Sequence, residues 1–324
     1  DMERKMIGSV SLDFLPYSIH SVAVTGDYVS ITVGPVALEF LASGIELCLS
    51  CATKDRIKHG KTHIYTFSLN SADYEAAGAA TPPAATYEFT HPDAFFTFHY
   101  LNAFSYTPVE DKEETVIVLD MCVYFQMEGV VGEHNLGSLR DVADPEVRNN
   151  MPYFCDAIKR VEVSVRGQEI LKNVNLPLID EKRNNVRTDL VSVNEAFTSS
   201  NPKEKNCWGY GLTYHAHGSE RYEDVGLLKI NICDAVDKAT NPDSTVASTV
   251  QVWHEENIYT GEPVFVPNPN GTEEDDGTLL IVSKNGVTDE TNLLFFDAKT
   301  MTQVASVRAP FPLMFEFHGR FYSN

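Results

Sequence analysis

Apolar and polar residues alternate with a period of two along most of this chain, the signature of half-buried β-strands. Ser21–Val24 and Tyr28–Val33 flank Thr25-Gly26-Asp27 and predict a hairpin with a glycine-bearing turn. His63–Leu69 alternates cleanly, Thr115–Tyr124 reads as a longer and mostly buried strand, and Arg160–Val165 runs into a turn at Arg166-Gly167. Helical periodicity is thin, with a turn or two near 36–43 and another near 144–150. Two stretches look like weak copies of one unit. Leu227–Ala235 leads through Asp237–Thr240 to a strand at 247–253, and Leu293–Thr300 leads to Gln303–Val307. Strand, Asp-Ala turn, strand, recurring about 65 residues apart, suits the outer hairpins of propeller blades, although a two-sheet sandwich would share the strand density. The irregular segments, 70–85 and 266–277, do not divide the chain, which reads as one all-β domain over 1–324.

Composition narrows the chemistry. With 324 residues, 43% of them hydrophobic, the chain can bury a large core. No run approaches the roughly 18 apolar residues of a membrane-spanning helix, and no secretory leader is visible after Asp1–Met6. A net charge of −21 argues against nucleic acid as a partner and describes an acidic, solvated surface carried by loops such as Glu110–Glu114. The six cysteines show no framework spacing, so reduced thiols in an intracellular compartment are the expectation. The sequon at Asn270-Gly271-Thr272 then reads as accidental.

Several constellations are weaker than they look. Cys48, Cys51, His59 and His63 resemble a zinc site, but the gap between Cys51 and His59 is short and no finger-like core surrounds it. His215 and His217 point the same way along an extended segment that reads better as a loop, and His91, His134 and His254 have no partner pattern. Nucleophile elbow, P-loop, dinucleotide fingerprint and His-Glu-x-x-His are all missing, which removes the commonest soluble enzyme classes.

His20, His99 and His318 stand apart, each set in an apolar, β-patterned neighbourhood. A neutral imidazole is the commonest side-chain metal ligand. Their surroundings, Tyr17–Thr25, Phe98–Phe104 and Phe317–Phe321, together with Glu262–Pro267 followed by Glu273–Gly277, resemble the carotenoid cleavage oxygenase family in the family's own order. That group includes the retinal-pigment-epithelium isomerohydrolase and the animal carotene oxygenases. The resemblance implies part of a seven-bladed β-propeller with short helical insertions, binding iron(II), Fe(II), through four histidines. It makes His20, His99 and His318 three of the ligands. The family's first ligand falls upstream of the segment matching His20, so the chain is expected to be the C-terminal part of a longer protein, about four blades of seven, and inactive alone. Asp189 stands where the family places a glutamate behind a ligand, and a second such position falls near Asp156 or Ala157. The implied activity is oxidative cleavage of a carotenoid or apocarotenoid double bond to carbonyl products, with dioxygen as co-substrate. Isomerohydrolase or stilbene-cleaving chemistry on the same fold, or an iron-free binding or structural role, are the alternatives. An apolar polyene further implies loading at a membrane surface, for a protein in the cytosol, on a membrane periphery or in a plastid.

Overall fold

The computed structural model describes residues 10–12, 15–16, 19–35, 37–38, 60–70, 86–125, 155–200, 206–213, 225–313 and 318–322. They pack as two compact units, one drawn from residues 1–152 and 160–173, the other from 153–159 and 174–324.

In the first unit, β1 (Leu15–Pro16) pairs with β4 (Ala37–Leu38), and β2 (Ala23–Val24), β3 (Tyr28–Val33), β5 (His63–Ser68) and β6 (Thr86–Thr90) form one sheet in that order. The β2–β3 hairpin is the one expected from the alternation, and Thr25 N–H closes its turn by donating to Tyr28 O at 2.8 Å. A second sheet orders β7 (Phe96–Tyr106), β8 (Val116–Tyr124), β9 (Ala157–Ser164) and β10 (Glu169–Leu176) by adjacency. Every position of β8 is buried, as its near-continuous apolar run demands. Its one charge, Asp120, is held by Arg160 on β9 through two 2.7 Å bonds, Nε to Oδ1 and Nη2 to Oδ2. A charge so placed needs such a partner, because burial without one is far costlier than the pair itself.

The second unit holds β11 (Asp189–Ser192), a short α1 (Glu195–Ser200), β12 (Trp208–Thr213), β13 (Gly226–Asn231), α2 (Ile232–Thr240) and β14 (Val250–Trp253). Their strands form one sheet in chain order. The next sheet takes β15 (Ile258–Thr260) and β16 (Val264–Pro267), both paired to β17 (Gly277–Asn285), and then β18 (Thr291–Asp297) and β19 (Thr302–Arg308). Tyr210 and Leu227 of the former sheet pack with Phe265, Leu279, Ile281 and Phe296 of the latter in a shared core. Counting β15 and β16 as one interrupted strand, each of the four larger sheets has four strands ordered as they follow in the chain, with only β4 diverted from the first of them, the form of a propeller blade.

Three expectations need correction. Residues 37–38 pair as a strand, so no helix covers that part of 36–43; the helical turn near 144–150 lies outside the described residues. The two weak copies diverge at their Asp-Ala segments. Asp297–Thr300 is the expected tight turn, with Asp297 Oδ1 accepting from Thr300 N–H at 2.8 Å. Asp234-Ala235 instead lies in α2, because Asn231 caps that segment: its Oδ1 accepts from Asp234 N–H at 3.0 Å while its Nδ2 donates back to Asp234. Burial of Ile232 and Ala235 then fixes the helix on the sheet. Finally, the cysteines are not all reduced: Cys207 and Cys233 form a disulfide, and the register of β12 on β13 brings them together by setting Trp208 opposite Asn231. Among the described residues, no helix is long and apolar enough to cross a membrane.

Candidate metal centre

His99 sits within β7, where regular alternation fails. Thr97 faces Val123 and Tyr100 faces Met121, so three steps on β7 oppose two on β8; Asn102 then faces Asp120, adding another residue. Such bulges bend a strand and re-aim its side chains. The pattern of burial registers it, with Phe98, His99 and Tyr100 all half-buried in succession. Tyr100 anchors the distortion by donating its hydroxyl to Thr32 Oγ1 at 2.7 Å and accepting from Thr32 N–H at 2.9 Å, and burial pushes its pKa up to about 12.

His20 lies just before β2. Its ring meets His99 edge-to-face, with centroids 5.0 Å apart and planes at 88°, and meets Phe98 at 5.4 Å. One ligand nitrogen of His20 and one of His99 come within 4.8 Å of each other. Phe98 also contacts Phe96 and Tyr124 edge-on, so the two imidazoles stand on an aromatic shelf. The first unit therefore brings together two of the predicted ligands from separate segments.

His318, in the second unit, is placed by Glu262. Both β15 and β16 pair with β17, and Gly261–Pro263 interrupt them. Gly261 N–H still reaches Val282 O at 2.8 Å, but Pro263 has no N–H to give, so the ladder breaks and Glu262 turns out of it. Glu262 Oε2 lies 3.2 Å from His318 Nδ1 and accepts from Gly319 N–H at 3.2 Å. A carboxylate only accepts, so Nδ1 carries the proton, and in the neutral ring that leaves the Nε2 lone pair for a metal. In the sequence Glu262 stands out only as part of a strand, and the signal for more is the proline that follows it. Beside this pair lies a chiefly apolar cavity of about 180 Å³, walled by Val264, Leu280, Val282, Leu293 and Phe321.

Asp189 begins β11, is buried, and accepts from Leu190 N–H at 2.9 Å through Oδ1. It too adjoins an irregularity: Asp189 faces Leu212 and Ser192 faces Tyr210, and Leu190 takes φ 49°, an uncommon conformation for a leucine. Asp156 lies 3.6 Å from Arg187. Of the weaker constellations, His63 bonds Glu88 at 2.9 Å, and buried His91 takes the Asp93 N–H at 3.0 Å. Cys48, Cys51, His59, His134, His215 and His217 lie outside the described residues. A further acidic trio, Glu273, Asp275 and Asp276, is already engaged by cations, with Lys229 on Asp275 at 2.6 Å and Lys299 on Glu273.

Among curated proteins, the chain is 26% identical over 323 residues to Carotenoid cleavage dioxygenase 8 homolog B, chloroplastic, of Oryza sativa subsp. japonica, which covers 98% of this chain and 49% of that protein. It is 39% identical over 77 residues, 24% of its length and 13% of the relative's, to the human Carotenoid-cleaving dioxygenase, mitochondrial. The chain thus spans about half the length of the curated relatives it matches end to end. Its fold is similar to cobalt-substituted Synechocystis ACO, with a TM-score of 0.61 at 17% identity over 91% of this chain and 52% of that one. An ACO/RPE65 chimera gives 0.59 at 14% identity over 95% and 53%. The blades seen above are accordingly part of a seven-bladed β-propeller. The family described as RPE65, retinal pigment epithelial membrane protein, matches residues 4–323, and the chain belongs to that family.

Proposed function

We propose that this chain is part of a non-haem iron(II) dioxygenase that cleaves a double bond of a carotenoid or apocarotenoid to two carbonyl products, with His20, His99 and His318 as metal ligands. The observation that carries the proposal is the His20–His99 pair, two imidazoles from separate segments with ligand nitrogens within 4.8 Å. The donor chemistry suits iron(II): imidazoles, with a carboxylate behind one ring. Held by these neutral imidazole nitrogens, iron(II) would supply the chemistry of dioxygen activation.

The chain's own residues do the rest. Glu262 holds the His318 tautomer, and the bulge at Phe98–His99 aims the His99 ring. The apolar wall of the cavity beside His318 offers a surface against which a stretch of polyene can pack, which is the role an apolar substrate requires of its walls. Asp189, buried at its strand break, serves as a second carboxylate orienting the metal site in this reading.

Iron content and oxygen-dependent bleaching of a polyene, measured on the full-length protein, test the proposal. Stoichiometric iron with bleaching only in the presence of dioxygen is the expected result. Protein purified without iron, and unable to take it up, would sink the enzyme reading. Iron-dependent isomerisation without oxygen consumption would replace cleavage with isomerohydrolase chemistry.

A further inference from the structure

Cys207 leads into β12, and Cys233 is the second residue of α2, with Cα atoms 4.9 Å apart across their disulfide. The bond is not needed to close the hairpin. Six residue pairs from Trp208–Asn231 to Thr213–Gly226 already join β12 to β13, and Ile232 N–H donates to Cys207 O at 2.8 Å beside the sulfurs. What the bond fixes is the start of α2 and the residue before Trp208.

Two features make this bond exchangeable. Both cysteines are partly exposed, whereas Cys122 and Cys155 are buried, so among the described cysteines this pair is the more open to solvent. Cys233 also lies in the first turn of a nine-residue helix, where the helix dipole favours a thiolate even though the N–H groups of Ile232 and Asp234 are already given to Cys207 O and Asn231 Oδ1. The carboxylate of Asp234 in that turn opposes the effect, and Asn231 Nδ2, donating to it at 2.8 Å, offsets part of its charge. A thiol with a depressed pKa is the better leaving group.

We propose that Cys207–Cys233 is a thiol-exchange site, a reversible clamp on the start of α2 with Cys233 as the leaving group. The thiolate of a small thiol such as glutathione attacks Cys207 Sγ; a mixed disulfide forms there, the protein S–S bond breaks, and its electron pair leaves on Cys233. A second glutathione thiolate attacks the glutathione sulfur of the mixed disulfide. Cys207 departs as a thiolate, and both protein thiolates take up protons according to pH. Two electrons thus pass from two glutathiones, which leave as one glutathione disulfide. Trp208 reports the change. Its N–H donates to Glu274 at 2.8 Å alongside that of Cys207 at 3.0 Å, and Lys229 Nζ sits 4.2 Å from its ring centroid.

The test equilibrates the full chain in glutathione buffers of graded redox ratio, then alkylates it and maps the labelled cysteines by peptide mass. Trp208 emission is followed in parallel in the Trp253→Phe variant, since the chain has only two tryptophans. The peptides of Cys207 and Cys233 should pass together from bonded to alkylated, with Cys122 unlabelled until denaturation and Trp208 emission shifting at the same midpoint. In the reduced protein Cys233 should alkylate about tenfold faster than Cys207 at neutral pH. A pair that stays bonded at every ratio until denaturant is added overturns the proposal, as does a pair fully alkylated in the most oxidising buffer. Faster alkylation of Cys207 overturns the leaving-group assignment. The labelling map needs no substitution and decides alone if Trp253→Phe does not fold.

Discussion

A single carboxylate shows how little separates a surface histidine from a ligand. His318 is half exposed, and Glu262 Oε2 at 3.2 Å is what selects its tautomer. Glu262→Gln keeps the shape but can present its amide nitrogen to the ring, which no longer forces the proton onto Nδ1. Iron affinity of the full-length protein should fall by about 10–100-fold, as for other carboxylates behind metal-bound imidazoles, with the circular dichroism unchanged. Iron titration of purified apoprotein checks this, and an unaltered affinity would remove Glu262 from the site. A purely structural carboxylate behaves differently. Asp120 and its partner Arg160 are both almost wholly buried, so Asp120→Asn strands a guanidinium and should cost about 3–5 kcal/mol in chemical denaturation. Replacing both, Asp120→Leu with Arg160→Met, should recover most of that loss, because no uncompensated charge remains.

At the scale of elements, function collects where strands lose their register. His99, Asp189 and Glu262 each lie at or beside a break, in β7, β11 and between β15 and β16. The strands themselves were legible as alternation, and the three histidines as short motifs, because both are properties of one segment. A bulge belongs to a pair of strands: nothing within Phe96–Tyr106 says that Val123 and Met121 will face residues three apart. The same reason hid the Cys207–Cys233 bond, which arises from the β12–β13 register. It also hid the role of Glu262, although Pro263 marked the spot. α2 is hidden in the sequence because Asn231 continues the apolar strand pattern, and only the fold makes it a helix cap. Turn chemistry gives this scale its own prediction. Burial alone would raise the pKa of Glu114, but Ser164 Oγ at 2.7 Å and the N–H groups of Thr115 and Arg166 hold it below the usual range. A depressed carboxylate stabilises the fold above its unfolded pKa, and that contribution fades as pH falls through the folded value. Because the carboxylate is partly open to solvent, Glu114→Gln should therefore lose only about 0.5 kcal/mol at neutral pH and nothing relative to wild type in strong acid. Parallel urea titrations across pH would reveal a pH-independent difference if the account is wrong.

For the molecule as a whole, the decisive question is whether His20, His99 and His318 serve one ion. The two compact units have their own cores, Val33, Tyr65 and Phe67 in one and the Tyr210–Phe296 cluster in the other, so neither depends on a metal to bury its apolar surface. Iron should therefore act as a ligand of an already folded protein, stabilising it by mass action and not by completing a core. At a hundredfold excess over its dissociation constant, that linkage amounts to about 2.7 kcal/mol, enough to move a melting midpoint by several degrees. If the three histidines share the ion, His20→Ala, His99→Ala and His318→Ala should each weaken the iron-dependent shift while leaving the metal-free midpoint within about 1 kcal/mol, since His20 and His318 are exposed and His99 is half-buried. The measurement is anaerobic thermal unfolding of the full-length protein with and without iron(II). If one variant keeps the whole shift, that histidine leaves the ligand set and the remaining two must find their partner elsewhere. If every variant melts several degrees lower without iron, the imidazoles are holding the fold and the shared-ion reading fails with them.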